Sequence, residues 1–193
     1  MARTAQESKP AIFAEANRPR LTGLAAHCSS DCASQQFGSR LMNSDVPKVL
    51  AVASAGGHWE QLMQLRPVLD TYDVRFVTTR RDAGEHGGID APLTLPDCNK
   101  QTPIRAMLCA LAALWLVLRE RPDVIVTTGA APGFFCLMAG RLVGARTLRI
   151  DSVANGEQFS LSGRLAQSIA DECWTQWAHL ATDHRPRFHG AVL

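Results

Sequence analysis

No apolar run in this chain is long enough to span a bilayer. The longest, Ala106 to Leu118, has thirteen residues, where a spanning helix needs roughly 20. The first residues are polar and mixed in charge, without the apolar core of a secretory signal. There is no arginine-rich run and no aromatic stacking pattern, and a formal net charge of +2 is too small to draw nucleic acid. Cys28-x-x-x-Cys32 has the spacing of half a zinc site, but no second Cys/His pair follows it. Most of the six cysteines sit inside apolar segments, where a free thiol behaves as a small hydrophobe. They suit a reducing cytoplasm. The glycines do not form the G-x-G-x-x-G of a dinucleotide site, which argues against a nicotinamide or flavin cofactor.

What is present is an alternation. At 193 residues with 46 % apolar content, the chain can fill one core and is short for two. Residues 1–45 are rich in Ala, Ser, Gln, Arg and Pro with no sustained apolar period, and are expected to be a disordered extension. Met42 is an alternative start. From residue 46 to 193 short apolar runs of strand length alternate with helical patterns. Strands are expected over Lys48–Ser54, Val74–Thr78, Pro92–Leu95, Val124–Thr127, Thr147–Ile150 and Glu172–Gln176. Helices are expected over Trp59–Leu69, Pro103–Arg119, Phe134–Val143 and Leu161–Ala170, with a polar loop through Arg80–Gly88. The pattern predicts a single Rossmann-like α/β domain with a parallel sheet and right-handed crossovers.

In such a sheet, ligands gather beyond the carboxyl ends of the strands. Four segments should meet there: Ser54–His58, Thr78–Arg81, Thr127–Gly133 and Asp151–Gly156. Gly56-Gly57 permits close approach of a ligand to backbone N–H groups. His58, at the turn into a helix, is placed to take a proton from a substrate hydroxyl, although a histidine there can equally cap backbone groups. Asp151 can cap a following helix, and Arg80-Arg81 is ordinarily a solvated pair that near a helix end could meet phosphate. The apolar helix is flanked by Arg105 before it and by Arg119 and Arg121 after it. It is either a core helix or an interfacial one, whose apolar side with Trp115 dips into a membrane.

Taken together and in order, these motifs resemble a known family. Ser54-Ala55-Gly56-Gly57-His58-Trp59-Glu60-Gln61-Leu62 resembles its opening loop, and Pro122 through Gly133 its central one. Ile150-Asp151-Ser152-Val153-Ala154, Leu161-Ser162-Gly163-Arg164-Leu165 and Ile169-Ala170-Asp171 resemble its third block. Trp174-Thr175-Gln176-Trp177 and His189-Gly190-Ala191-Val192-Leu193 complete the match. The family is the PssD type of bacterial exopolysaccharide glycosyltransferase subunits. It is related to the anchoring subunit of the eukaryotic UDP-GlcNAc transferase and, more remotely, to the N-terminal half of MurG. Two positions depart from its pattern: Ala55 stands where many relatives carry a small residue or glycine, and Asp151 where they commonly carry glutamate.

The resemblance implies the acceptor-side half of a GT-B glycosyltransferase split into two chains. The donor-binding half would be a PssE-type partner. His58 would be the base. Gly56, Gly57, Thr128, Gly129, Gly133 and Asp151 would hold the diphosphate-linked saccharide acceptor. Trp115, Arg105 and Arg119 would meet the inner face of the cytoplasmic membrane. No metal or other cofactor is implied, and the chain has no Asp-x-Asp cluster for one. The alternative is a non-catalytic membrane anchor that recruits the catalytic subunit. A stand-alone nucleotide-binding protein is the third reading.

Overall fold

The computed structural model describes residues 46–98, 102–157 and 161–191. The expected N-terminal extension, with Cys28 and Cys32, lies outside the described residues, as do Val192 and Leu193. Seven strands form one parallel sheet: β1 (Lys48–Val52), β2 (Asp73–Thr78), β3 (Leu93–Thr94), β4 (Val124–Thr127), β5 (Arg146–Ile150), β6 (Glu172–Thr175) and β7 (Arg187–Phe188). Their spatial order is β3-β2-β1-β4-β5-β6-β7. The order reverses between β1 and β4, and that is where an open α/β sheet opens its crevice.

The helices are α1 (Gly57–Gln64), α2 (Arg66–Leu69), α3 (Arg81–His86), α4 (Pro103–Glu120), α5 (Ala130–Val143) and α6 (Leu161–Ile169), with a 3-10 turn at Ala178–Leu180. Because alternate strand residues face opposite sides, the sheet carries two cores. Leu50, Val52 and Ile125 pack with Ala113, Val117, Leu137 and Ala166 from α4, α5 and α6. Val49, Ala51, Val126 and Ile150 pack on the other side with Trp59, Leu62 and Leu69. Gly140 lets α5 lie close on the sheet: a Cβ there would collide with Ile125.

Three expectations are corrected. The helix expected over Trp59–Leu69 breaks at Leu65, because Pro67 starts a new first turn in α2. The loop expected after β2 contains α3, whose Gly84 is packed so tightly on Pro92 that a Cβ would not fit. The helix expected from Phe134 begins at Ala130, since Pro132 and Gly133 fit a helical first turn. The edge strand β7 was not foreseen from sequence.

The long apolar helix α4 divides its surface. Cys109, Ala113, Leu116 and Val117 are buried. Ile104, Met107, Leu108, Leu111, Trp115 and Leu118 form an exposed stripe at three- and four-residue spacing, with Trp115 59 % exposed. The helix is thus half-buried and half-exposed, which is compatible with both the core and the interfacial reading. No helix among the described residues is long and apolar enough to cross a membrane.

Candidate functional site

The segments expected to converge are tied together at the carboxyl edge. The Ala55 N–H donates to Thr79 Oγ1 at 3.1 Å, joining the turns after β1 and β2. Thr128 Oγ1 donates to the His58 carbonyl at 2.6 Å, joining the turns after β1 and β4. Gln61 Nε2 of α1 donates to Ser152 Oγ at 3.2 Å, reaching the turn after β5.

Two helices that open at this edge, α1 and α5, each start from a glycine with positive φ. Gly56 (φ 91°) precedes α1, and its carbonyl accepts from the Trp59 and Glu60 N–H groups at 2.8 and 3.1 Å. The earlier N–H groups of the first turn have no intrahelical acceptor and face outward. No atom lies within 4 Å of a Cβ built on Gly56 or Gly57, so this turn is open to a ligand. Gly129 (φ 139°) precedes α5, and its N–H donates to Thr127 Oγ1 at 3.2 Å. Two helix N-termini with their partial positive charge therefore open at adjacent points of the same edge.

The His58 ring fills the space that a side chain at Gly129 would occupy: a Cβ there would sit 2.8 Å from Cε1 and 2.9 Å from Nδ1. Nδ1 is buried without a hydrogen-bond partner. Burial, then the Arg149 charge, hold the imidazole pKa below its ordinary 6.5, against the opposing pull of the Thr128 backbone and of Asp151. A ring kept neutral near pH 7 is competent to accept a proton.

Asp151 is set deeper than its expected role at the ligand implies. Its carboxylate pairs with Arg149 at 3.0 Å, both side chains being nearly inaccessible at 3 % and 2 %. Asn155 Nδ2 reaches both carboxylate oxygens at 3.2 and 3.3 Å, and Gln176 Nε2 donates to the Asp151 carbonyl at 3.0 Å. Gly133 is likewise buried, in the first turn of α5, where a Cβ would clash with Thr127 Oγ1. Thr128 is buried too and holds the His58 backbone. The structure thus brings Gly56, Gly57, His58, Thr128 and Gly129 to one place, with Asp151 and Gly133 beneath it. Arg105 lies in the first turn of α4, and Trp115 and Arg119 in its C-terminal part. The Arg119 guanidinium carbon lies 5.1 Å from the Trp115 ring centroid. Arg149 escaped the sequence reading, while Gln61 and Gln176 entered it only within motifs and Asn155 only within the Asp151–Gly156 segment. A lone arginine inside the apolar run Thr147–Ile150, two residues before an aspartate, was the available signal. Among the described residues no three His, Cys, Asp or Glu side chains converge as metal ligands.

Comparison with known proteins fits this arrangement. The family model "Oligosaccharide biosynthesis protein Alg14 like" matches residues 96–192. A "UDP-N-acetylglucosamine transferase subunit ALG14" from Yarrowia lipolytica is 24 % identical over 179 residues, covering 76 % of this chain and 82 % of the relative. A protein of the same name from Eremothecium gossypii is 36 % identical over 83 residues, covering 39 % of this chain and 37 % of its own length. Among solved structures, Acinetobacter baumannii MurG superposes with a TM-score of 0.62 at 13 % identity, over 74 % of this chain and 45 % of MurG. UDP-N-acetylglucosamine 2-epimerase from Rickettsia bellii also gives 0.62 at 16 % identity, over 76 % of this chain and 45 % of the epimerase. This chain thus spans less than half the length of those two enzymes, and the likeness to them is one of fold: a single Rossmann-like domain resembling one half of a GT-B enzyme. Over residues 96–192, from the loop after β3 through α4, α5 and the Asp151 turn, the chain belongs to the Alg14-like oligosaccharide biosynthesis family.

Proposed function

We propose that this chain is the acceptor-side subunit of a two-chain, nucleotide-sugar-dependent glycosyltransferase. In this reading it extends a polyprenyl-diphosphate-linked saccharide during exopolysaccharide or capsule assembly. The observation that carries the reading is His58, held neutral at the N-terminus of α1 and packed on Gly129 at the start of α5, in an Alg14-like chain. The relatives named as UDP-N-acetylglucosamine transferase subunits support a UDP-sugar donor and a catalytic partner of the PssE or ALG13 type.

Backbone N–H groups at Gly57, His58 and Ala130 receive the acceptor diphosphate, as helix N-termini do for phosphates generally. His58 accepts the proton of the acceptor hydroxyl as that oxygen bonds to the anomeric carbon. The bond from that carbon to the nucleotide diphosphate breaks, with inversion, and the nucleotide leaves with the electron pair. The buried Arg149–Asp151 pair beneath supports the turn and holds down the imidazole pKa through Arg149.

Gly129→Ala tests the contact between the two turns. The added Cβ would meet the imidazole at under 3 Å from a backbone with φ of 139°, so the ring must move. A shift of about 1 Å at a reacting group costs roughly 100-fold in rate. Transfer should fall by about that factor while the two chains still co-purify. Wild-type transfer from the alanine variant would show that the ring position does not matter.

The exposed stripe of α4 is the membrane face in this reading. Arg105, Arg119 and Arg121 are exposed on or just beyond the helix, a disposition suited to anionic headgroups at the inner face of the cytoplasmic membrane. Replacing Leu111 and Trp115 together by Glu should cut binding to phosphatidylglycerol vesicles by about tenfold or more, since burying either side chain is worth roughly 1.5–3 kcal/mol. Both are solvent-exposed, so thermal stability should be little changed. Vesicle binding that survives the double change would remove α4 from the membrane. The heteromer itself is tested by co-expression with a PssE-type chain: the pair should co-purify, and two chains that elute separately would refute the split-enzyme reading.

A further inference from the structure

The loop after β5 is gripped by the segment that follows β6. Three side chains of that segment each donate to a loop carbonyl: Gln176 Nε2 to Asp151 at 3.0 Å, Trp177 Nε1 to Val153 at 3.0 Å, and His179 Nε2 to Gly156 at 2.8 Å. A carbonyl only accepts, so the His179 Nε2 carries a proton. Gly156 lets the loop lie close to the indole, since a Cβ there would come 3.1 Å from Trp177 Cε2 and Cζ2. The Trp177 and His179 rings also meet, with centroids 5.9 Å apart.

Burial separates the roles of these donors. Gln176 is buried, and its bond satisfies the carbonyl of the equally buried Asp151. Trp177 and His179 are exposed, and the carbonyls they hold belong to the half-buried Val153 and Gly156. Water can serve such carbonyls, so these two bonds add little net stability. What they add is order, because anchors at Asp151, Val153 and Gly156 leave the loop little conformational freedom. The loop in turn meets the helix that carries His58. Ser152 Oγ accepts from Gln61 Nε2 at 3.2 Å, and Gln61 stands nearly one turn after His58 in α1. The Ala154 N–H also donates to Ser152 Oγ, at 3.3 Å, which fixes that hydroxyl within the loop.

We propose that Trp177 and His179 are positioning residues for the transfer reaction. By holding the Val153 and Gly156 carbonyls they fix the loop. Through the Ser152–Gln61 bond the fixed loop sets the seat of α1, and with it the orientation of the His58 ring. The kinetic part of this rests on the function proposed above; the anchoring of the loop does not.

Three variants of the full chain test this. Trp177→Phe keeps a ring beside Gly156 without its N–H, His179→Ala removes the second donor, and His179→Gln supplies a side-chain N–H of similar reach. By NMR, hydrogen exchange at the Ala154 and Asn155 amides should quicken about 3- to 10-fold in the first two, the range for one lost hydrogen bond. The urea midpoint of the chain should stay near wild type. Paired with the partner chain, both should lower kcat about 10-fold, short of the roughly 100-fold cost of a 1 Å misplacement. The KM for the nucleotide sugar should not move, because in this reading the partner binds it. His179→Gln should restore both the exchange rate and kcat. If Trp177→Phe fails to fold, the two His179 variants decide alone. Unchanged exchange would overturn the anchoring, and faster exchange with wild-type kcat would overturn the positioning role, as would a glutamine variant that behaves like alanine. No transfer by the wild-type pair would refute the proposed function and the positioning role with it, whereas the exchange rates are read on this chain alone.

Discussion

Replacing His58 by Ala is expected to reduce sugar transfer by the proposed two-chain enzyme about 10²- to 10⁴-fold, the usual contribution of a positioned general base and the role proposed for this residue. Assembly should be spared, because the backbone contact at this position is made by the His58 carbonyl with Thr128 and survives the change. The pH profile gives a second signature. Burial first, and Arg149 second, hold the His58 pKa below 6.5, so the neutral base persists into mild acid. The acid limb of kcat/KM should then fall below pH 6.5 and vanish in the alanine variant. The same depression makes His58 an acid-labile element of the fold. The unfolded chain binds the proton more readily, so this contribution to stability is full above pH 6.5 and is lost as pH falls through the folded pKa. Turnover unchanged by His58→Ala, with the pair intact, would favour the non-catalytic anchor.

The second large effect is on stability. Asp151→Ala removes one partner of a 3.0 Å ion pair in which neither side chain is more than 3 % exposed. Arg149 keeps its charge in the interior without that carboxylate. Breaking a buried pair this way costs about 3–5 kcal/mol, a large share of the roughly 5–15 kcal/mol that holds a domain folded. Urea unfolding of the isolated chain should show the loss as a lower midpoint at similar slope. The double change Arg149→Met with Asp151→Leu should restore much of it, because no buried charge then remains. A cost under about 1 kcal/mol for the single change would mean that the pair is not buried as described.

Much of this arrangement was legible from sequence, for a physical reason. Central parallel strands are buried on both faces and read as continuous apolar runs, as in Val49–Val52 and Val124–Val126. The turn glycines at 56 and 129 mark where the chain leaves the sheet, so the site segments could be placed before their contacts were known. What escaped depends on tertiary packing. The helix α3 (RDAGEH) has no apolar stripe and is fixed through Gly84 on Pro92. The two-residue strand β7 pairs only with β6 at the sheet edge and carries too little pattern to be seen. The depth of Asp151 follows from Arg149, whose register opposite Thr127 is a property of the sheet. The exposed stripe of α4 was visible as apolarity but not as exposure, because periodicity cannot tell which apolar face α5 covers.

The central claim is that this domain supplies the acceptor half of a split transferase. The most direct measurement is transfer of labelled sugar from UDP-N-acetylglucosamine to a polyprenyl-diphosphate-linked acceptor in membranes, with each chain assayed alone and together. Transfer from the pair, and from neither chain alone, is the predicted result. Full transfer by this chain alone would contradict the account, because the donor site would then have to lie within this one Rossmann-like domain.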